Sequence, residues 1–519
     1  MKEIRTMGHD FQLDRRELLK SMGLAVISTG LARASTSLAA VTDDTEDPKV
    51  WWTLAEAAQA IRDRRVTSMD LTECMLQRIR AFDQGEGGLH SYLTAMDESA
   101  LTAARRADDD VRNGKPLGIL HGVPVGVKDL CSTQGVRTTA GCAVMTDNIP
   151  NVDATVVTKL QNAGAVILGK LNLTEGAMTG YNPVFPVPLN PWNRNVWPGG
   201  SSSGSGIAAA AGLAYGTIGT DTGGSIRYPS ACCGVAGLKP TWGRVSRFGV
   251  FPLAESLDHV GPLARSTKDC ALLLEAISGH DPNDATSLPG GAPQLVAELE
   301  EGVQGLRLGW DERFAGEDGF PDQLAAVTAV VTKLAGLGAQ IRPIKMPDLS
   351  GFGRAWITLC SAEAVVAHAQ YYPGRRADYG TFFREWLDLG SKVSTGDYIR
   401  ALGERRACIG LIQAMFHDND IDVLIAPTQE GPPPPVQDQS QFVHGSIDPL
   451  MLAGTWAKYT AVHDFTGAPT LSLPCGFTEA GLPLSVQFVG RHGREDEICR
   501  VGHAYEQVTD FHKRHPDLR

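Results

Sequence analysis

Apolar residues recur at helical spacing near the start of the chain and gather into short continuous runs further along. The two patterns predict different elements. Thr53-Leu54-Ala55-Glu56 has the composition of a capping box, in which the threonine hydroxyl takes the N–H three residues on and the glutamate reaches back. It opens a predicted helix over residues 53–64. Leu71, Met75 and Ile79 stand four apart and mark a second amphipathic helix. From Asp153, an expected N-cap, a helix runs to Ala163, Gly164 stops it, and Val166-Ile167-Leu168 follows as a buried strand. Residues 306–309, 423–426 and 484–489 read as further strands, and residues 323–337 and 496–508 as helices. Alternation of this kind implies helices covering a central sheet. Residues 431–435, a glycine and four prolines, form a rigid loop, and no repeat or linker divides the chain.

The first forty residues follow a different pattern. Asp14-Arg15-Arg16-Glu17-Leu18-Leu19-Lys20 precedes a moderately apolar run over residues 22–32, and Ser37-Leu38-Ala39 supplies a small-x-small cleavage site. This is the layout of a signal peptide. The paired arginines, two leucines and lysine resemble the twin-arginine motif, which implies export of the folded chain by the twin-arginine machinery to the periplasm.

Composition narrows the classes. With 43% hydrophobic and 20% charged residues, the 519-residue chain can bury one large core or two ordinary ones. Its 47 basic and 59 acidic residues give a net charge of −12, which opposes nucleic acid as a partner. No apolar run reaches the roughly 18 residues of a membrane span, so no stable membrane insertion is expected. Ten scattered cysteines without a CxxC pair read as buried free thiols, and thirteen histidines without HExxH spacing point to no metal.

Three segments carry candidate chemistry. In His121-Gly-Val-Pro-Val-Gly-Val-Lys128-Asp129 a lysine ends an apolar, β-prone run. Taken from water, its charged form loses stability and it becomes a base; alone, it reads first as a strand-end lysine reaching solvent. Pro198-Gly-Gly-Ser201-Ser202-Ser203-Gly-Ser-Gly206 runs into an alanine-rich helix, its glycines allowing close approach of other groups or, alternatively, a flexible linker. In Gly219-Thr-Asp221-Thr222-Gly223-Gly224-Ser225-Ile-Arg227 a serine follows two glycines whose N–H groups can converge on an oxyanion.

Together these segments resemble the amidase signature family, and the resemblance continues through Gly237-Leu-Lys-Pro-Thr241, Gly261-Pro262, Leu471-Ser-Leu-Pro-Cys-Gly476 and Val486-Gln-Phe-Val-Gly490. It implies a single α/β/α domain with a large mixed, mostly parallel sheet covered by helices on both faces. The expected organisation is a signal over 1–39, a helical extension over 40–115 and the catalytic domain over 116–519. The resemblance also implies a Ser-Ser-Lys triad: Lys128 as base, Ser201 as bridging serine after a cis peptide at Gly200-Ser201, and Ser225 as nucleophile. The N–H groups of Thr222, Gly223, Gly224 and Ser225 would form the oxyanion hole. Ser202, Asp221 and Arg227 are expected to support the nucleophile's loop, and Met178, Thr179, Gly180 and Trp456 to touch substrate. No cofactor is implied.

The expected activity is hydrolysis of a small-molecule amide by water through an acyl-enzyme, in a monomer or homodimer. Carbamate or ester hydrolysis by the same triad, or a periplasmic binding protein of this fold without chemistry, are the alternatives. Ser203 stands where many family members have glycine, which loosens any inference about substrate. Gly200-Ser-Ser202-Ser-Gly204 also satisfies GxSxG, but the strand that a nucleophile elbow needs is replaced by a loop with two prolines and two tryptophans. A component resembling the amidase-type chain of glutamyl-tRNA amidotransferase would need protein and tRNA partners, which the charge and the export signal oppose.

Overall fold

In the computed structural model, which describes residues 47–317, 319–447, 452 and 458–518, the first helix start predicted from sequence is closed by its own side chains. Thr53 Oγ1 accepts from the Glu56 N–H at 3.1 Å and the Glu56 carboxylate accepts from the Thr53 N–H at 2.8 Å, opening the helix Leu54–Arg62. Thr67 and Asp70 repeat the arrangement for Ser68–Arg78. Asp153 does not cap: its carboxylate accepts from the Gln134 N–H, and the helix Thr155–Asn162 starts from Ala154 without a side-chain cap. The expected signal segment and Trp456 lie outside the described residues.

Eleven strands are described: β1 Tyr92–Ala95, β2 Pro124–Lys128, β3 Val166–Leu171, β4 Gly216–Asp221, β5 Ala236–Lys239, β6 His259–Ala264, β7 Arg307–Trp310, β8 Gln340–Pro343, β9 Val423–Pro427, β10 Thr470–Phe477 and β11 Pro483–Gly490. They form one sheet in the order β1-β3-β2-β4-β6-β5-β10-β11-β9-β7-β8. The sheet is mixed, as expected, but not mostly parallel: among the described strands, β2 pairs in parallel with β3 and β4, and β7 with β8 and β9, while the other six pairings are antiparallel. Parallel neighbours need a long crossover. Here the helices Thr155–Asn162, Ser203–Ala210 and Pro321–Gly336 provide crossovers toward the two flanks, whereas β10 and β11 are joined by a short turn in the middle.

Side chains of a strand alternate between faces, so strands buried at every position are covered on both. That holds for β2, β3, β4, β5, β6, β9 and β11. The segment expected as a helical extension contributes to this sheet, since β1 forms its edge against β3, and residues from 47 onward make one compact unit. All ten cysteines are free thiols, nine of them buried. Among the described residues no helix is long and apolar enough to cross a membrane.

The neighbours β2 and β4 run in parallel, with Val127 opposite Ile218. Their carboxyl ends, Lys128 and Asp221, therefore emerge at one end of the sheet, where loops of such sheets gather functional groups.

Candidate active site

Lys128 is the last residue of β2, and Val123, Val125 and Val127 before it are fully buried. Its own side chain is fully buried too, and its Nζ meets three hydroxyls: Ser201 Oγ at 2.7 Å, Thr220 Oγ1 at 2.8 Å and Ser202 Oγ at 2.9 Å. Burial pushes the ammonium down to about 7, against the weaker pull of Cys131, Asp221 and Asp258. A neutral amine has two hydrogens and one lone pair, so one of the three hydroxyls must donate to it. Ser202 is excluded, because its hydroxyl donates to the Thr220 carbonyl at 3.1 Å. Ser201 and Thr220 remain free to donate, and Ser201 makes the shorter contact, 2.7 Å against 2.8 Å.

Ser201 follows a cis peptide bond at Gly200, as the resemblance implied. Ser203 begins the helix Ser203–Ala210, and its hydroxyl donates to the Gly199 carbonyl at 2.6 Å, closing the turn that presents Ser201. A side chain on Gly204 would strike the Ser91 carbonyl at 2.3 Å, which is why this crossing needs glycine.

Ser225 lies in the loop after β4. It is partly exposed, its carbonyl accepts from the Ser202 N–H at 3.2 Å, and its hydroxyl has no hydrogen-bond partner among the described residues. The loop's shape is imposed by Asp221, whose carboxylate accepts from the N–H groups of Gly224 at 2.5 Å and Ile226 at 3.0 Å. The Gly224 N–H is thus directed at Asp221 and not at an oxyanion, a correction to the expected set. The N–H groups of Thr222, Gly223 and Ser225 have no acceptor among the described residues. Gly224 has φ +130°, a conformation side chains rarely adopt, and a Cβ there would lie 2.4 Å from the Tyr228 ring.

Arg227 backs this loop as the sequence suggested. It is fully buried, gives Nε and Nη2 to Asp221 at 3.0 Å each, and gives Nη2 to Asp464 at 2.5 Å. Burial alone would raise the Asp221 carboxyl; Arg227 outweighs it and holds the group well below the usual range. Burial, with the neighbouring Asp221 carboxylate, raises the Asp464 carboxyl against the pull of Arg227 and Lys239. Asp221 and Arg227 pair in a two-point fork.

The segment expected to touch substrate adjoins Ser201 through its backbone. The Thr174 N–H donates to the Ser201 carbonyl at 3.2 Å, Thr174 Oγ1 donates to the Met178 carbonyl at 3.1 Å, and the Glu175 N–H donates to the Gly180 carbonyl at 2.9 Å. Met178 is buried, Thr179 half-buried, and Gly180 takes φ +78°. Sequence reasoning missed Thr220, Trp197, Tyr228, Trp356 and Thr460 around these groups. Trp197 and Tyr228, ring centroids 6.0 Å apart, pack beside Gly200 and Gly224 respectively. No local pattern marks such residues, whose partners lie far off in the chain; only Thr220, beside Asp221 in the motif, had a signal. Among the described residues no group of three or more His, Cys, Asp or Glu is placed to hold a metal ion.

This arrangement offers a buried lysine whose charged form is destabilised, a serine hydroxyl in contact with it, a partly exposed second serine and unpaired N–H groups beside that serine. The amidase family model matches residues 70–499. A Mycobacterium tuberculosis protein named as the amidase AmiD is 42% identical over 466 residues, covering 90% of this chain and 96% of the relative. One component of the glutamyl-tRNA(Gln) amidotransferase of Syntrophus aciditrophicus is 36% identical, over 90% of this chain and 99% of its own length. Among solved structures, the peptide amidase of Stenotrophomonas maltophilia superimposes with TM-score 0.79 at 31% identity, covering 90% of this chain and 98% of that one.

Proposed function

This chain belongs to the amidase signature family and is an amidase, a hydrolase of amide carbon–nitrogen bonds, and from that premise we propose that it works through an acyl-enzyme on Ser225. The observation that carries this reading is Lys128, buried with no counter-ion in contact among the described residues and 2.7 Å from Ser201 Oγ. As Ser225 Oγ attacks the amide carbonyl carbon, its proton passes to Ser201 and that of Ser201 to Lys128. The Gly223 and Ser225 N–H groups, with Thr222 beside them, face the developing oxyanion. The ammonium then returns a proton through Ser201 to the leaving nitrogen, which departs as an amine. Water repeats the relay on the ester and releases the acid.

Ser202 is unsuited to the nucleophile's role. It is fully buried, and its hydroxyl is engaged by Lys128 and by the N–H and carbonyl of Thr220. A fluorophosphonate should therefore add its mass to the peptide containing Ser225. Label on Ser202 instead would overturn the assignment.

The substrate proposed is a small-molecule amide, in keeping with the peptide amidase and AmiD likenesses, with carbamates and esters as further arms of an activity panel. Arg15-Arg16 and the apolar run after them support twin-arginine export to the periplasm. Changing both arginines to lysine should hold the uncleaved protein in the cytoplasm; unchanged periplasmic activity would refute this.

A further inference from the structure

Consecutive peptide planes run from Asp221 to Ser225, and each carbonyl oxygen is tied to a different part of the molecule. The Asp221 carbonyl faces His259 Nδ1 at 3.3 Å. The Thr222 carbonyl accepts from the Trp356 indole Nε1 at 2.7 Å, and the Gly223 carbonyl from the Thr460 hydroxyl at 2.7 Å. The Gly224 carbonyl accepts from the Tyr228 N–H at 2.7 Å. A trans peptide is planar, with its C=O and N–H pointing opposite ways, so tying a carbonyl aims the N–H of the next residue. The two ties made by distant side chains sort the N–H groups into two sets. With the Gly223 carbonyl on Thr460, the Gly224 N–H turns to Asp221. With the Thr222 carbonyl on Trp356, the Gly223 N–H is left facing away from the protein's own acceptors.

We propose that Trp356 and Thr460 are positioning residues for the oxyanion hole: Trp356 aims the Gly223 N–H at the developing oxyanion, and Thr460 keeps the Gly224 N–H on Asp221. The inference rests on Ser225 being the nucleophile. Both side chains are buried, with 3% and 0% exposure, so water does not compete for their hydrogen bonds. Trp356 also sets the depth of the loop, since a Cβ on Gly223 would lie 2.6 Å from its Cζ2. Thr460 is itself held. Its hydroxyl lies 2.9 Å from that of Tyr228; a carbonyl can only accept, so Thr460 gives its one proton to Gly223 and the phenol supplies the proton of the second bond. Donors aimed in advance need no reorganisation when charge develops, which is the source of their catalytic effect.

The test compares Trp356→Phe, Thr460→Val and Thr460→Ser with the wild type. Butyryl p-nitroanilide reports kcat and KM, and propylboronic acid, which forms a tetrahedral adduct on a nucleophilic serine, reports the oxyanion site. Trp356→Phe should lower kcat about 10²-fold and weaken the boronic acid by a similar factor, with KM within about twofold. Thr460→Val should lose about tenfold in both, while Thr460→Ser, which keeps the hydroxyl, restores them. The Thr460 pair decides the matter if Trp356→Phe fails to fold. Unchanged boronic acid affinity in folded Trp356→Phe and Thr460→Val, or a loss confined to KM, overturns the proposal while leaving Ser225 as nucleophile. A wild-type enzyme that takes up neither boronic acid nor fluorophosphonate on Ser225 overturns the nucleophile assignment and this proposal with it.

Discussion

Two fully buried cations stand at the same end of the sheet and meet opposite fates. Arg227 has the carboxylate of Asp221 and the carboxyl of Asp464 against it, and keeps its charge. Among the described residues, Lys128 has only the hydroxyls of Ser201, Ser202 and Thr220 within hydrogen-bonding reach, and burial brings it down to about 7. A hydroxyl can orient an ammonium but does not cancel its charge, so desolvation prevails at Lys128 and pairing prevails at Arg227. The nature of the neighbours, more than depth of burial, makes one cation a fixed brace and the other a base.

The sharpest way to break the comparison is to remove the base. Lys128→Ala should lose about 10⁴-fold in pre-steady-state acylation, measured on folded protein, and Lys128→Arg should fare no better because a guanidinium stays protonated. Near wild-type acylation in either would end the proposed relay. Removing the brace should act on stability. Arg227→Ala leaves Asp221 buried without its partner, at a cost of about 3–5 kcal/mol in denaturant unfolding, whereas a Lys128→Ala chain strands no charge. Equal destabilisation by the two would contradict the distinction. The smallest effect concerns the bend of the pH profile. Lys128 works only when neutral, so acylation should rise about tenfold per pH unit below its pKa and level off above about 7. Thr220→Val removes one acceptor from the ammonium and should move that bend to lower pH by less than about one unit. A profile unmoved in Thr220→Val and centred near the free-lysine value of about 10.4 would show that Lys128 is not the titrating group.

The glycine and serine motifs were legible because their chemistry is local. Gly199 and Gly224 take φ +81° and +130°, within two residues of Ser201 and next to Ser225, and Asp221 accepts from N–H groups three and five positions ahead. Apolar periodicity located the helices near residues 53–64 and 323–337 and the strands that became β7, β9 and β11. It did not announce β1, β5, β6, β8 or β10, whose strand form depends on the neighbours they pair with. The balance of parallel and antiparallel pairing was equally hidden, since no residue encodes which strand will lie beside it.

Sequence alone located the lysine and serine positions that match the family's motifs and the tight turns around them. Those follow from residue types at short spacing, where sterics and hydrogen bonding act within one segment. Only the tertiary structure decided which N–H groups face the oxyanion, because their direction depends on Trp356 and Thr460, which bind carbonyls 134 and 237 residues away. The same holds for the base: Ser201 and Thr220 reach Lys128 across 73 and 92 residues, and the water that would have kept its charge is excluded only once the whole core has closed over it.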